Sequence, residues 1–429
     1  MNTKAADLRP LKFCMISTFF GAHSFGGDAV FVDRLSRALL RRGHQVDVVH
    51  CVDSFEMLRR REPLRSYTPP PGLRTFPLTN PLGALPLIWN HQTGRMGAKA
   101  APLRRIIAAG DYDVIHFHNI SLMGGPEILD LECSGKTVKI MTAHEWWLLC
   151  PLSTLWKFDD AVCRQTQCVR CTLRSGRSPQ FWCRNGTIDR AINHLGALLF
   201  PSRFALELHR ARGVAPACAV HLPSFLPADS DRGESDTGKV DPRQRPYFVC
   251  AGRLIREKGF QEAIAAMASL RDHELTIAGS GPFEKELRQR AAAVGNVRFM
   301  GQLDFPALSR LYRGARALIV PSQCYETFGY VVLEACAAGA PAIVRRGSAL
   351  AELIGDGGGG LMYDTDRELV AAMRSLAADE MLRSKLVQSG QQGLRTLWSE
   401  EQHMEKYLAL IARLRGESPP AVLQAVRSG

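Results

Sequence analysis

Short apolar segments alternate with segments of helical periodicity along most of this chain. A β-rich segment at 12–17 precedes a helical pattern at 29–42, and a second β-rich segment follows at 45–51. Strands that alternate with helices in this way predict parallel sheets covered by helices. We therefore predict an α/β fold.

The alternation predicts two sheets, one on each side of a polar stretch. The stretch 226–246 is rich in Asp, Ser, Gly and Pro and cannot bury a core, so we predict an interdomain linker there. The other predicted strands are 114–117, 139–142 and 197–200 before it, and 247–251, 274–278, 297–300, 317–320 and 342–344 after it. This pattern predicts two Rossmann-like domains, at 1–225 and 247–395.

A last helical pattern lies at 396–416. Its apolar residues recur at helical spacing, which favours a helix that returns to pack on the N-terminal domain. The tail 417–429 contains Pro, Gly and Ser and is predicted to be flexible. Since ligands of open parallel sheets bind at the carboxyl ends of the strands, we expect the active site in a cleft between the two facing domains.

Composition and charge narrow the class of protein. A chain of 429 residues that is 46% hydrophobic and 22% charged can form two cored domains, which excludes disorder over most of its length. The formal net charge of +12 favours phosphate-bearing ligands or an anionic membrane surface. No apolar run reaches the roughly 18 residues of a membrane-spanning helix, and the N-terminus has no secretory apolar segment. We expect a cytoplasmic protein, with peripheral binding at the inner face of the plasma membrane left open.

Two cations follow the first strand of the second predicted sheet. Arg253 and Lys258 stand in the segment YFVCAGRLIREKGF, between a buried strand and a helix. Arg can bind phosphate oxygens through two nitrogens, and Lys adds a point charge near the helix N-terminus. The segment therefore predicts a diphosphate site, with two solvated surface cations as the alternative.

A glycine pair follows the next strand. Gly279 and Gly281 stand in the segment AGSGP, where glycine permits a close backbone approach and proline can begin a helix. A ligand loop and a plain tight turn are equally compatible with this pattern.

The most specific pattern is PSQCYETFGYVVLEACAAGAP. Glu326 lies in a loop and Glu334 lies in the following helix, while Phe328 and Gly329 stand at the helix start. Backbone amides at a helix start attract phosphate, and carboxylates beside it can bind sugar and ribose hydroxyls. This pattern predicts a nucleotide-sugar site.

These segments together resemble glycosyltransferase family 4, a retaining family with the GT-B fold. The resembling motifs are E-x7-E with T-F-G after the first Glu, preceded by G-R-L, E-K-G and A-G-x-G-P. The resemblance assigns Arg253 and Lys258 to the diphosphate, Glu326 to the transferred sugar and Glu334 to the ribose. It also implies a nucleotide-diphosphate sugar donor, a sugar or lipid-linked acceptor, and no catalytic metal.

The N-terminal half contributes a second set of candidates. Gly26 and Gly27 precede a helix, and in the resembled family this loop borders the donor phosphate and the acceptor. His144, in T-x-H after the strand 139–142, matches the family's sugar-contacting histidine. We expect His116 and His118 to point to opposite faces of their strand, so that only His118 lines the cleft.

Five cysteines lie close together in the region 150–183. Cys168 and Cys171 form C-x2-C, a spacing that suits metal chelation, and four of the five thiols could bind a structural zinc. A subset of the resembled family has a similar cysteine pattern, which favours Cys150 and Cys163 as the remaining ligands and Cys183 as an alternate. An iron–sulfur cluster and unliganded thiols stay open.

The predicted function is glycosyl transfer in the synthesis of a cell-surface polysaccharide or glycolipid. A sugar-nucleotide 2-epimerase shares the fold and the donor site, and it would release a free sugar. A nucleic-acid-binding protein could use the cysteines and basic pairs such as Arg104 and Arg105 or the run Arg59–Arg60–Arg61. The complete donor motif argues against it, so we expect no nucleic acid partner.

Overall fold

The computed structural model describes residues 9–59, 64, 66–80, 83, 85–214, 216–227 and 245–417. The chain forms two compact units. The first comprises Met1–Ser153, Gln167–Ser224 and Glu400–Gly429, and the second comprises Thr154–Thr166 and Phe225–Ser399. The second unit is therefore inserted, in chain order, before the last helix of the first.

The first unit contains a parallel sheet of seven strands in the order β3-β2-β1-β4-β5-β6-β7. The strands are β1 (Lys12–Ile16), β2 (Gln45–Cys51), β3 (Arg74–Leu78), β4 (Val114–Phe117), β5 (Val138–Thr142), β6 (Ala197–Phe200) and β7 (Ala219–His221). The central strands consist of buried apolar residues because helices cover both faces of such a sheet.

The helices of the first unit connect these strands. They are α1 (Gly27–Arg41), α2 (Val52–Leu58), α3 (Leu85–Thr93), α4 (Ala100–Gly110), α5 (Cys168–Arg174), α6 (Thr187–Ile192), α7 (Arg203–Ala211) and, at the end of the chain, α15 (Glu400–Leu414). In α1 the buried residues Phe31, Leu35 and Leu39 recur at helical spacing. This apolar stripe packs α1 against the sheet.

The second unit contains a parallel sheet of six strands in the order β10-β9-β8-β11-β12-β13. The strands are β8 (Tyr247–Ala251), β9 (Glu274–Ala278), β10 (Val297–Gly301), β11 (Leu318–Val320), β12 (Ala342–Arg345) and β13 (Gly360–Tyr363). This is the Rossmann order, whose topological switch point lies between β8 and β11. The loops after these two strands carry Lys258 and Glu326.

The helices of the second unit alternate with its strands. They are α8 (Phe260–Ala266), α9 (Glu284–Val294), α10 (Phe305–Arg313), α11 (Tyr330–Ala338), α12 (Ala349–Gly357), α13 (Asp366–Ala378) and α14 (Glu380–Leu397). The predicted α/β class and the two Rossmann-like sheets are confirmed.

Helix α15 belongs to the first unit. Tyr407 is fully buried there and stacks on Phe13 of β1 with ring centroids 6.2 Å apart. At the start of the helix, the buried carboxylate of Glu400 forms ion pairs with Arg41 and Arg42, the latter over 2.7 Å. These contacts make α15 part of the core of this unit.

Some predicted features lie outside the described residues. They are most of the linker 226–246, nearly all of the tail 417–429, and Arg60 and Arg61 of the basic run. In the part of the chain that is described, no helix is both long and apolar enough to cross a membrane.

Candidate active site

The loop after β8 carries the two cations predicted to bind a diphosphate. Arg253 is exposed two residues beyond the strand, and Lys258 ends a short 3-10 turn. The chain then turns at Gly259, where φ is 71° and a Cβ atom would lie 2.0 Å from the carbonyl oxygen of Pro321. Because only glycine permits this approach, the Lys258 loop packs directly on the loop that leads to Glu326.

Lys258 and Glu326 are in direct contact. Nζ of Lys258 donates to Oε1 of Glu326 over 2.5 Å, and the hydroxyl of Ser322 donates to the same oxygen over 2.6 Å. Burial is the largest single effect and would lower the pKa of Lys258, but the charge and hydrogen bond of Glu326 together with the charges of Cys324 and Glu257 outweigh it, and the pKa is raised. Lys258 is therefore a fixed cation at neutral pH, as neutralising a departing diphosphate requires.

Glu262 of α8 fixes the loop that carries Glu326. Its carboxylate accepts hydrogen bonds from Nε2 of Gln323 and from the guanidinium of Arg345, each over 2.5 Å. The backbone N–H of Gln323 also donates to the carbonyl oxygen of Glu257 over 2.8 Å. Sequence reasoning missed Glu262, because a single Glu in a helix gives no signal of a loop contact 61 residues away.

Helix α11 begins directly after this loop. Its N-cap, Gly329, makes no side-chain capping hydrogen bond within the described residues, so the helix start can attract anionic oxygen atoms. Phe328 is buried and packs edge-on against Tyr330, with ring centroids 5.3 Å apart. Burial raises the pKa of Tyr312, and the charge of Glu334 is the second-largest cause of this rise. Along the chain, Glu326 precedes the start of α11 and Glu334 lies within this helix.

The glycine pair after β9 is required by the fold. A Cβ atom on Gly279, where φ is 145°, would lie 1.9 Å from the carbonyl oxygen of Gly252. One on Gly281 would lie 2.3 Å from the carbonyl oxygen of Leu254. The loops after β8 and β9 therefore touch backbone to backbone, which accounts for both glycines as a tight turn. Donor binding by this pair stays a prediction.

The glycine-rich loop of the first unit is different. Gly26 caps α1 in an extended conformation with φ −154°, and a Cβ atom there would meet only Oδ1 of Asp28, at 3.7 Å. Gly27 is the first residue of α1 and is exposed. Neither backbone strain nor packing requires Gly26, so its missing side chain leaves space at the helix N-terminus.

Two predicted histidines contact each other in the first unit. Nδ1 of His118 and Nε2 of His144 lie 3.0 Å apart, so one nitrogen donates to the other. Phe31 of α1 packs against both rings, with centroid distances of 5.8 Å to His118 and 4.9 Å to His144. His118 is only 1% exposed. In this arrangement it reaches a ligand only through His144, which it holds in place.

The prediction that His116 and His118 point to opposite faces is wrong. Their ring centroids lie 4.0 Å apart, because residues two positions apart in a strand share a face. His116 is fully buried, and its nitrogens contact the hydroxyls of Tyr407 at 3.0 Å and Thr142 at 2.8 Å. It is a core residue that connects β4 to α15.

Burial keeps this histidine cluster uncharged. It lowers the pKa of His144 to about 3. It also lowers the pKa values of His116 and His118 well below the ordinary value, and the neighbouring histidines add to the effect. A neutral His144 can exchange hydrogen bonds with a sugar hydroxyl at physiological pH, but it carries no charge there.

The cysteines of the 150–183 region are divided between the two units. Cys163 belongs to the second unit, whereas Cys150, Cys168, Cys171 and Cys183 belong to the first. Burial, followed by the thiols of Cys168 and Cys150, raises the pKa of Cys183 to about 12, so these three thiols are neighbours. Among the described residues, no group of three His, Cys, Asp or Glu is arranged to hold a metal ion. A structural zinc stays a prediction.

Two protein-family models match the chain. The model described as glycosyl transferases group 1 matches residues 231–393, and the model described as glycosyltransferase family 4 matches residues 25–226. The matched ranges together cover most of both units. The first range contains Lys258, Glu326 and Glu334, and the second contains Gly26 and His144.

Curated relatives are also glycosyltransferases. A lipopolysaccharide core biosynthesis glycosyltransferase of Rhizobium meliloti is 33% identical over 187 residues, which is 42% of this chain and about half (53%) of that relative. A D-inositol 3-phosphate glycosyltransferase of Pseudarthrobacter chlorophenolicus is 28% identical over 435 residues, covering 94% of each chain.

Solved structures share the fold over nearly the whole chain. Sucrose-phosphate synthase from Thermosynechococcus elongatus has a TM-score of 0.73 at 20% identity, covering 95% of this chain and 99% of that one. Anabaena HepE in complex with UDP-glucose has a TM-score of 0.62 at 15% identity, covering 94% and 98%. The fold, the two family models and the curated relatives agree, and this chain belongs to the family 4, group 1 glycosyltransferases.

Proposed function

We propose that the protein transfers a sugar from a nucleotide-diphosphate sugar to an acceptor hydroxyl with retention of anomeric configuration. The contact between Lys258 and Glu326, immediately before α11, carries this proposal. It holds a cation for the diphosphate and a carboxylate for the sugar hydroxyls within 2.5 Å of each other. The N-terminus of α11 adds the electrostatic field of a helix to the same site.

Each donor group has a role in the proposed reaction. The bond between the anomeric carbon and the diphosphate oxygen breaks, and Lys258 with Arg253 neutralises the charge that appears on the diphosphate. The acceptor oxygen bonds to the same face of the anomeric carbon, and its proton passes to the released diphosphate. Glu334 binds the ribose, as the family resemblance implies, and His144 binds a sugar hydroxyl.

A donor screen tests this proposal. Purified protein is incubated with UDP-, GDP-, ADP- and dTDP-sugars, and the released nucleoside diphosphate is measured for the wild type and for Glu326→Gln. We expect turnover of at least one donor and a strong loss in the variant, since the amide cannot pair with Lys258. If no nucleotide sugar binds or turns over, the proposal fails. Product NMR distinguishes retention from inversion, and it distinguishes transfer from release of a free epimer.

For the acceptor, we propose a glycan or glycolipid precursor at a membrane surface. Its support is α3, where Leu85, Ile88 and Trp89 are 68%, 54% and 45% exposed at helical spacing. The next helix exposes Arg104 and Arg105. Exposed apolar residues on one helix and exposed cations on the next suit a surface of anionic lipid. The similarity to a lipopolysaccharide core glycosyltransferase is compatible with such an acceptor.

Vesicle binding tests the membrane proposal. We expect the wild type to sediment with vesicles containing phosphatidylglycerol and not with pure phosphatidylcholine. Replacing Ile88 and Trp89 by Ser should abolish sedimentation. A matched control is Met381→Ser in the second unit, because Met381 is 85% exposed but lies on α14. Equal sedimentation of both variants would contradict the proposal.

A further inference from the structure

A polar cavity of about 670 Å³ lies in the first unit, in a region that no sequence motif marks. Its volume falls within the range of roughly 300–1,000 Å³ that small-molecule sites occupy. Three segments line it: the turn after α3, the 3-10 helix Gly125–Asp130, and α6 with the residues that flank it. Most of the lining side chains carry charged, amide or hydroxyl groups, and the buried Trp182 packs directly on Gly94. The cavity therefore suits a small polar ligand.

One end of this cavity lies far along the sheet from the predicted sugar-contacting histidine. Lys139, near the start of β5, donates from Nζ to the carbonyl oxygen that precedes Asp130 over 2.6 Å. Its own carbonyl oxygen accepts a hydrogen bond over 2.7 Å from the backbone N–H of Gly196, two residues after His194. His144 follows the opposite end of this five-residue strand, which spans about 16 Å. The Asp130 end of the cavity is thus separated from His144 by the length of β5.

One wall of the cavity carries two carboxylates. Asp130 stands three residues after Glu127 in a 3-10 helix, where side chains at this spacing lie on the same face. Oε2 of Glu127 accepts a hydrogen bond from the backbone N–H of Met96 over 2.5 Å, and Oδ1 of Asp130 lies 2.5 Å from Nδ1 of His194. The second oxygen of each carboxylate has no hydrogen-bond partner within the described residues. This wall therefore offers two anionic acceptor oxygens to a cation.

Two arginines come from the other segments of the cavity. Arg190 of α6 donates to the hydroxyl of Thr187, one turn earlier, over 3.1 Å. Arg95, in the turn after α3, is exposed, and its guanidinium has no hydrogen-bond or ion-pair partner in the part of the chain that is described. Among these residues, no ion pair joins either arginine to a carboxylate of the opposite wall. Charges of both signs thus line one cavity without neutralising each other.

Unpaired charges of both signs suit a ligand that itself carries both. A phosphate alone would face the carboxylates as well as the arginines, and an amine alone would face the arginines as well as the carboxylates. A neutral ligand would displace water from four charged groups without supplying a counter-charge. A zwitterion can place its anion on the arginines and its ammonium on the carboxylates through charge-assisted hydrogen bonds.

The neighbouring surface indicates a source of such a zwitterion. The exposed Leu85 and Trp89 of α3 stand four residues apart, and the next residue at this spacing is Thr93, which lines the cavity. The ring of Trp89 packs on Gly97, just beyond Arg95 in the chain. Trp side chains of membrane-associated proteins lie at the level of the lipid head groups. The cavity therefore begins where the proposed lipid-facing stripe of α3 ends.

We propose that this cavity binds the phosphoethanolamine head group of a membrane lipid, with Arg95 and Arg190 on the phosphate and Glu127 and Asp130 on the ammonium. The inference rests on the membrane association in the proposed function and names the lipid chemistry that is recognised. A choline head group fits less well, because a quaternary ammonium has no N–H to donate and is bound by aromatic faces instead. A glycerol head group has no cation for the carboxylates.

Vesicle sedimentation measures this preference with the full-length protein. All vesicles contain the same fraction of phosphatidylglycerol, and the remaining lipid is either phosphatidylethanolamine or phosphatidylcholine. The wild type, Arg95→Gln and Asp130→Asn are compared with two controls outside the cavity. Glu132→Gln changes an exposed carboxylate two residues from Asp130, and Arg210→Gln changes an exposed arginine next to the end of α7.

We expect the wild type and both controls to bind the phosphatidylethanolamine vesicles about fivefold more tightly than the phosphatidylcholine vesicles. Arg95→Gln and Asp130→Asn should each reduce this ratio to less than about twofold, because each removes a charge that faces the zwitterion. Melting temperatures show whether each variant is folded. Arg95→Gln keeps the test decisive if Asp130→Asn destabilises the unit, because Arg95 is exposed.

Soluble probes distinguish the head group from the bilayer. Glycerophosphoethanolamine, glycerophosphocholine and inorganic phosphate are each titrated against the protein, and binding is followed by phosphorus NMR. We expect glycerophosphoethanolamine to bind more tightly than the other two probes and to compete with the phosphatidylethanolamine vesicles, since it carries both charges and N–H donors. Arg95→Gln and Asp130→Asn should weaken its binding.

Several results would overturn the inference. It fails if the wild type binds both kinds of vesicle equally, or if the two cavity variants keep the wild-type ratio, which would show that bilayer packing causes the preference. It also fails if inorganic phosphate binds as tightly as glycerophosphoethanolamine. Release of nucleoside diphosphate from soluble donors is measured separately, so turnover in these cases leaves the proposed glycosyl transfer intact. Absence of turnover would refute the proposed transfer, and the probe titration would still decide whether the cavity binds the head group.

Discussion

The ammonium group of Lys258 lies 2.5 Å from Oε1 of Glu326, although 68 residues separate them in the chain. Their side chains are 28% and 19% exposed, so water screens the pair only in part. Each residue was assigned to a different part of the donor by the family resemblance. Their contact joins the two groups that we predict to bind the diphosphate and the sugar hydroxyls into a single electrostatic unit.

This contact predicts non-additive losses. Lys258→Met should lower kcat/KM for the donor by about 100-fold or more, because it removes the cation that faces the departing diphosphate. Glu326→Gln should cause a loss of its own. The double variant should lose less than the product of the two single losses, because each single change already breaks the pair. The measurement is steady-state release of nucleoside diphosphate.

The control for the comparison of single and double variants is Lys285→Met, which removes an exposed lysine of α9. Its kcat/KM should stay within about twofold of the wild type. Strictly multiplicative losses in the Lys258 and Glu326 variants would show that the two residues act independently.

The glycine loops predict opposite effects of the same substitution. Gly279→Ala places a methyl group 1.9 Å from a carbonyl oxygen at φ 145°, so it should lower the melting temperature strongly. Gly26→Ala fits without strain and should leave the melting temperature nearly unchanged. Its methyl group fills the space at the start of α1, so a raised substrate KM is expected. Thermal unfolding and steady-state kinetics of both variants provide the check, and a normal KM for Gly26→Ala would remove that loop from the site.

Buried histidines predict loss of stability in acid. Burial lowers the pKa of His209 to about 4, whereas an unburied His titrates near 6.5. The stability from keeping His209 neutral is fully present above pH 6.5 and is lost as the pH falls towards 4, because the unfolded chain binds the proton first. This single group contributes about 3 kcal/mol over that window.

His209→Gln tests this contribution. Nδ1 of His209 lies 2.7 Å from the carbonyl oxygen of Ala205, and the Gln amide can donate a similar hydrogen bond without titrating. The slope of the melting temperature against pH between 6.5 and 4 should therefore be shallower in the variant. Identical slopes would mean that His209 does not take up a proton on acid unfolding.

The Glu262 contacts predict a stability cost in the second unit. Glu262→Gln removes the charge that pairs with Arg345 and leaves one acceptor oxygen for the two donors Gln323 and Arg345. The unfolding free energy should fall by about 1 to 3 kcal/mol, between the values for exposed and buried pairs. The donor KM should rise because the Glu326 loop loses its anchor. Asp364→Asn, which breaks the more exposed pair with Arg346, should cost less than about 1 kcal/mol in the same denaturant titration.

The spacing of apolar residues along the sequence correctly predicted the strands in which those apolar residues are buried. Strands such as β1 and β8 consist of continuous apolar residues because both faces of a parallel sheet are covered. Three strands of the two sheets were missed for physical reasons. β3 (Arg74–Leu78) is an edge strand with exposed residues and a proline, and β7 (Ala219–His221) is an edge strand of only three half-buried residues. β13 (Gly360–Tyr363) follows a run of glycines that indicates a turn.

The donor motif was readable because its residues are close together in sequence, and the rest of the site was not. The charged partner of Glu326, Lys258, lies 68 residues away, and this pairing depends on backbone positions that no local pattern encodes. The prediction that His116 and His118 point to opposite faces failed because residues two positions apart in a strand share a face.

The return of α15 to the first unit fixes an order of events during protein synthesis. Residues 225–399 leave the ribosome before Glu400–Leu414, so every segment of the second unit is available before this helix is. Until α15 emerges, the surface that Met404, Tyr407 and Ile411 cover stays open to water. The nascent chain thus passes through a stage in which all residues of the second unit are synthesised but the first unit still lacks α15. The first unit therefore stays exposed to chaperones and proteases while residues 225–399 are synthesised and until α15 emerges.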